Sequence, residues 1–168
     1  MIRKQHHKRA MTKRTAITVS VLLGSFFVLL LYVVFSYSTT IYTVERSKQI
    51  TTLANAKRLS GALVQYAADS GGLLPADLRT PKSRRAALAK YLSPSSFESH
   101  NPNGGALLFN GRISGARIAK FAGPEHVIAV YESRAWPNGR RAVGYLDGHA
   151  GLVRDFDDRL LALPAAQD

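Results

Sequence analysis

The chain has 168 residues, with 23 Lys or Arg against 11 Asp or Glu, a formal net charge of +12 and no cysteine. That length allows one modest domain beside any anchor, and the missing cysteine excludes disulfides, thiolate metal sites and cysteine nucleophiles. The charge is uneven: residues 1–14 hold six Lys or Arg and no acid, whereas the 130 residues from Thr39 onward hold seventeen basic and eleven acidic residues.

The opening run, MIRKQHHKRAMTKR, reads as a topology signal with some affinity for anionic headgroups. Nucleic-acid binding has only charge behind it, so no nucleic-acid partner is expected. His6 and His7 have no other ligand type nearby and read as solvated.

Ala16 to Tyr37 (AITVSVLLGSFFVLLLYVVFSY) contains no charged residue, and fourteen of its residues are Ile, Leu, Val or Phe. As a helix it would span roughly 33 Å, slightly more than the hydrocarbon core of a bilayer. Its insertion is favourable by several kcal/mol on translocon scales. A chain this short has too little protein to cover such a segment on all sides, which argues against a buried soluble helix. A cleavable signal peptide is the main rival. The apolar run is longer than a usual signal core and Ser36-Tyr37-Ser38 is a poor cleavage site, so an uncleaved signal anchor fits better. The basic flank stays in the cytoplasm, which puts the C-terminal domain outside it. The expected division is a basic cytoplasmic tail over 1–14, a transmembrane helix over 15–38, an amphipathic helix over 39–70 and a globular region over 71–168.

From Thr39 to Asp69 there is no proline, and Ile41, Val44, Ile50, Leu53, Ala56, Leu59, Leu63 and Tyr66 recur mostly at spacings of three or four. This predicts an amphipathic helix, continuous with the membrane helix, whose stripe packs on the C-terminal domain. Ser70-Gly71-Gly72-Leu73-Leu74-Pro75 stops it. Pro81 to Arg85 is expected to precede a short helix over Arg85–Tyr91. The basic cluster Lys82, Arg84 and Arg85 reads as a solvated face, with a binding patch as the alternative. Asn101 to Gly105 is a loop by composition.

Beyond Ala106 the period becomes that of strands. Ala106–Asn110 is a short candidate, Ile113–Lys120 is ambiguous, and His126–Glu132, Arg140–Leu146 and His149–Arg154 are strands forming an antiparallel meander. Asp147-Gly148 reads as a two-residue type I′ turn. That register sets Leu146 opposite His149, Tyr145 opposite Ala150 and Val143 opposite Leu152, so that Val143, Tyr145, Ala150 and Leu152 share the core face. Asp155 to Asp158 is expected to start a short helix running to about Leu163 and stopping at Pro164.

Asp147 and His149 are the only candidate metal or catalytic pair. The plainer reading is a turn with a strand residue beside it, since no other ligand is tied to them by spacing. His126 and His100 lack partners by spacing. There is no HExxH, phosphate-binding glycine loop or serine-centred elbow. Asn, Asp and Gly near the sheet could offer oxygens to calcium, but no loop of alternating acids is present, so no cofactor is expected. Trp136, the only tryptophan, reads as a packing residue rather than an exposed partner contact.

The stretch Ala54–Pro75 (ANAKRLSGALVQYAADSGGLLP) is similar to the end of the long helix in major pseudopilins of type II secretion. Glu132–Val153 (ESRAWPNGRRAVGYLDGHAGLV) resembles the C-terminal Asp-Gly-His segment of prepilin-like proteins, and Phe109–Gly115 (FNGRISG) resembles the loop between those motifs. The likeness implies an α+β, pilin-like fold: a long N-terminal helix, membrane-spanning then amphipathic, packed on a small antiparallel sheet. It implies a non-catalytic component or accessory of a secretion or pilus system in a bacterial inner membrane. The domain would be periplasmic or extracellular, and its partners would be the lipid bilayer and assembly proteins, including copies of itself. A permanently anchored extracytoplasmic binding module is the alternative. Two positions depart from the family. The cleavage pattern of glycine followed by Phe-Thr-Leu-x-Glu has only Gly24-Ser25-Phe26-Phe27 to match, with Leu29 where the acid stands, and Pro137 stands where many members carry a histidine.

Overall fold

The structure, a computed structural model, describes residues 2–161, with side chains described from residue 17. The chain divides into two compact units, Met1–Glu45 and Arg46–Asp168. Helix α1 (Ile2–Asp69) supplies the first unit and opens the second.

In the first unit the apolar side chains from Ile17 to Val44 are exposed: Phe26 is 64% and Phe35 is 70% accessible. Each such side chain left in water forgoes about 1.5–3 kcal/mol of burial. A helix this long and apolar is suited to cross a membrane. Its hydroxyls fit that medium, because they donate to carbonyls of the preceding turn. Ser38 Oγ bonds Val34 O at 2.9 Å, Thr40 Oγ1 bonds Ser36 O at 2.8 Å and Thr43 Oγ1 bonds Thr39 O at 2.8 Å. This is a membrane-associated architecture with a single candidate span among the described residues.

In the second unit, α1 ends in a glycine cap. Gly71 and Gly72 take left-handed φ of 64° and 86°, and the Gly72 N–H reaches back to Ala67 O at 2.7 Å. Helix α2 (Pro81–Leu88) starts earlier than the sequence suggests. Thr80 is its N-cap and accepts the Ser83 N–H at 3.2 Å, with Pro81 in the first helical position, so the basic cluster lies inside the helix and not before it. The ambiguous 113–120 stretch forms 3₁₀ turns, Gly111–Ile113 and Ile118–Lys120, joined to the chain after α1 through the Leu73–Arg117 bridge.

The sheet has four antiparallel strands in the order β1 (Leu107–Phe109), β2 (Ile128–Glu132), β3 (Arg140–Tyr145) and β4 (Ala150–Arg154). α1 packs on one face of it, giving the α+β architecture. Ala56, Leu59, Leu63 and Ala67 of the helix are buried with Leu107, Phe109, Ala129, Val130 and Ala142 of the sheet. Ala129 and Val130 both reach this core because the β2–β3 register shifts between Ile128 and Val130.

Three further expectations are corrected. The hairpin is not a two-residue type I′ turn: Ala142 pairs with Leu152 and Gly144 with Ala150. The Tyr145 N–H bonds His149 O at 2.8 Å, leaving a three-residue loop in which Gly148 alone has positive φ, at 92°. Asp147 thereby escapes the left-handed region, and its side chain accepts the His149 N–H instead. A one-residue slip exchanges faces, so Val143 and Tyr145 lie opposite the face that carries Leu152. The second correction concerns the α1 stripe. Ile50 is 57% exposed, while Gln49, Thr52 and Asn55 are buried in its place. The third is the C-terminal segment, which turns at Asp155 (φ 55°) and forms a 3₁₀ turn over Asp158–Leu161. Phe156 stacks on Tyr131 of the far sheet face at 5.5 Å, and Arg141 lies over the same ring. The expected continuation to Leu163 and stop at Pro164 lie outside the described residues.

Candidate functional site

The β3–β4 hairpin does bring Asp147 and His149 together. One carboxyl oxygen of Asp147 takes the His149 backbone N–H at 3.0 Å and lies 2.6 Å from its Nδ1. The imidazole stacks on Tyr145 at 4.1 Å with 6° between the planes. Burial pushes the Asp147 carboxyl up, but the His149 N–H, ring hydrogen bond and charge outweigh it and hold the group below its ordinary value. The pair fastens the hairpin tip. Among the described residues no three His, Cys, Asp or Glu come together as a metal would require. The His126 ring lies 3.8 Å from a Glu125 carboxyl oxygen, and His100 is exposed in its loop.

Gly148 lines an open groove of about 430 Å³ over the outer side of α1, with Gly61 and Ala54 beneath it and Lys57, Arg58, Tyr91 and Leu92 around it. Asp147 and His149 do not line this groove.

The densest polar arrangement lies on the helix-facing side of the sheet and was not singled out in the sequence. Glu132, fully buried at the end of β2, accepts hydrogen bonds at both carboxyl oxygens. Ser99 Oγ donates to one at 2.7 Å; Trp136 Nε1 at 2.7 Å and the Ala142 N–H at 3.1 Å donate to the other. Trp136 is therefore a packing residue, as expected, and buried to 3% exposure. Around this centre Asn101 Nδ2 bonds Arg134 O and Asn103 Nδ2 bonds Ala135 O, both at 2.9 Å. These bonds tie the 95–105 and 133–139 loops into one body. Two sequence signals could have revealed it: an acid closing an apolar strand run, and a tryptophan four residues later.

No protein-family model matches this chain. No curated protein and no solved structure matches it significantly either.

Proposed function

We propose that this chain is a membrane-anchored, pilin-like protein that serves as a structural or accessory component of a bacterial secretion or pilus assembly, and that it is not an enzyme. The observation that carries the reading is α1 itself. One helix bears an exposed apolar stretch long enough to span a bilayer and then a row packed on a four-stranded antiparallel sheet. The likeness of Ala54–Pro75 to pseudopilins and of Glu132–Val153 to prepilin-like proteins adds to it. With the basic tail retained in the cytoplasm, the domain lies on the periplasmic or extracellular side of the inner membrane. Its loops and the outer side of α1 are the surfaces available to protein partners. No cofactor enters this reading.

Mass spectrometry of the mature N-terminus, taken from membranes of native cells, tests it. A methylated start at Ser25 supports prepilin-type processing and a filament role. An intact start moves the assignment to a permanently anchored extracytoplasmic binding module, which Leu29 at the position of the family's acid already favours over a polymer. A start just after Ser38 overturns both, because the domain would then be released.

A further inference from the structure

The face around α2 is unusually cationic. Residues 71–79 and 111–118 are stitched together by Leu78 N–H to Ser114 Oγ (3.1 Å), Gly115 N–H to Pro75 O (2.9 Å) and Ile118 N–H to Gly72 O (2.9 Å). α2 follows directly. Arg79, Lys82, Arg84, Arg85 and Arg112 all belong to this structure, and among the described residues none has an ion pair. The one acid between residues 71 and 85, Asp77, is occupied by its own turn, accepting the Arg79 N–H at 2.8 Å and the Thr80 hydroxyl at 3.1 Å.

The arginines are fixed in place. Arg79 lies so close over Gly111 that a Cβ there would come within 2.8 Å of its Cγ. The Arg84 guanidinium lies 5.4 Å from the Phe109 centroid and that of Arg85 lies 5.5 Å from Phe97. Arg84 Nε is buried and has no acceptor. Burial, and then the neighbouring Arg85 charge, push the Arg84 pKa down. An aromatic ring takes none of the guanidinium's N–H hydrogen bonds, and a guanidinium is the group that grips a carboxylate with two bonds.

We propose that this face docks an acidic protein partner through its carboxylates. Bases would need free aromatic platforms, but Phe97 and Phe109 are already covered by arginine. Anionic bilayers recruit flexible polybasic segments, whereas these cations are placed on a folded core. A second copy is disfavoured by charge. Residues 46–161 hold seventeen basic and nine acidic groups, and in the acid-rich 155–158 run Asp157 is already paired with Arg159 at 2.8 Å. The occupant is a different protein of opposite sign.

The test is titration of the full chain in neutral detergent with poly-L-glutamate at near-physiological salt. Reversing two exposed cations of the face, Arg85→Glu with Arg112→Glu, is expected to weaken binding about tenfold, and the same charge change at Lys57→Glu with Arg58→Glu less than about threefold. Arg84→Lys, which keeps the charge and loses the fork, is expected to weaken it roughly threefold. Trp136 fluorescence reports that each variant is folded. Equal losses from both reversed pairs would overturn the proposal in favour of diffuse attraction. Tighter, Arg85-dependent binding to duplex DNA or to phosphatidylglycerol vesicles would overturn it in favour of a phosphate surface.

Discussion

Gly144 is a point of close approach between strand and helix, and Gly144→Ala measures how closely they are held. A Cβ at Gly144 would lie 2.8 Å from the Ala56 carbonyl oxygen and 3.2 Å from Ser60 Cβ, and it would collide with Ser60 Oγ. The hydroxyl can be removed, but the Ala56 carbonyl belongs to the α1 backbone and cannot rotate away. Overpacking of a close-packed core costs about 1–3 kcal/mol, and a backbone obstacle puts this case near the upper end, about 3 kcal/mol. With a urea m-value of about 2 kcal/mol/M, the unfolding midpoint should fall by roughly 1.5 M. The assay is urea unfolding of the full chain in detergent, followed by the fluorescence of Trp136, the only tryptophan and one that is buried. Ser60→Ala supplies the control. Ser60 Oγ is buried without a partner, so its removal alone should be neutral or slightly stabilising. Combined with Gly144→Ala it should recover about 1 kcal/mol, since the Ala56 contact persists. A Gly144→Ala midpoint within error of the parent would refute the close approach of α1 to β3.

Glu132→Ala should cost about 3 kcal/mol in the same unfolding assay, because it strands the Trp136 and Ala142 donors and leaves a cavity. Glu132→Gln can keep its oxygen on those donors and turn its amide toward Ser99, so about 1 kcal/mol is expected; equal losses for the two would contradict the assigned bonding. Acid should weaken the fold through Asp69 and Asp147. The Lys90 hydrogen bond, then that of the Tyr91 hydroxyl, hold the Asp69 carboxyl below its ordinary value, and Asp147 is also lowered. A depressed folded pKa contributes stability above the unfolded value near 3.8, and that stability disappears as pH falls through the folded value. The double Asp69→Asn, Asp147→Asn variant should therefore be less stable at neutral pH and lose less on acidification; parallel stability–pH curves would count against this account. Thr80→Ala removes the α2 cap and should cost about 1 kcal/mol.

The helix and its stop were legible because they rest on local chemistry: a long period of three or four ended by Gly71-Gly72. Strand positions were legible for the same reason. The register was not, because Asp-Gly serves both a two-residue turn and a three-residue loop with glycine last, and the choice depends on what the neighbouring strand requires. Here the Leu146 N–H bonds Val127 O at 2.9 Å, which places Leu146 in the loop as a buried residue and shifts the pairing by one. Asp147 and His149 attract notice in the sequence, yet in the fold they secure a turn. Around Glu132 only Trp136, four residues on, is a local sign; the donors from residues 99 and 142 are brought in by the fold, and no local pattern announces them.

Failure of the apolar-stripe reading in the first turns of the second unit follows from the same non-local demand. Gln49, Thr52 and Asn55 are buried, though none is a core residue by type. They face loops, and loop backbone carries donors and acceptors that no sheet pairs. Asn55 Nδ2 donates to Glu98 O at 3.0 Å, Thr52 Oγ1 accepts the His100 N–H at 3.0 Å and Gln49 Nε2 lies 3.4 Å from Asn138 Oδ1. Leucines at 52 and 55 would bury more apolar area and leave the His100 N–H and the Glu98 carbonyl without these partners, at about 1–3 kcal/mol each, and a leucine at 49 would remove the contact to the Asn138 side chain. The polar row is thus what allows two irregular loops to rest against a helix. Glu132 joins the same two loops from below, so they are held from the helix and from the sheet. Loops held in this way have little further freedom to lose, which is the physical condition for a rigid loop surface.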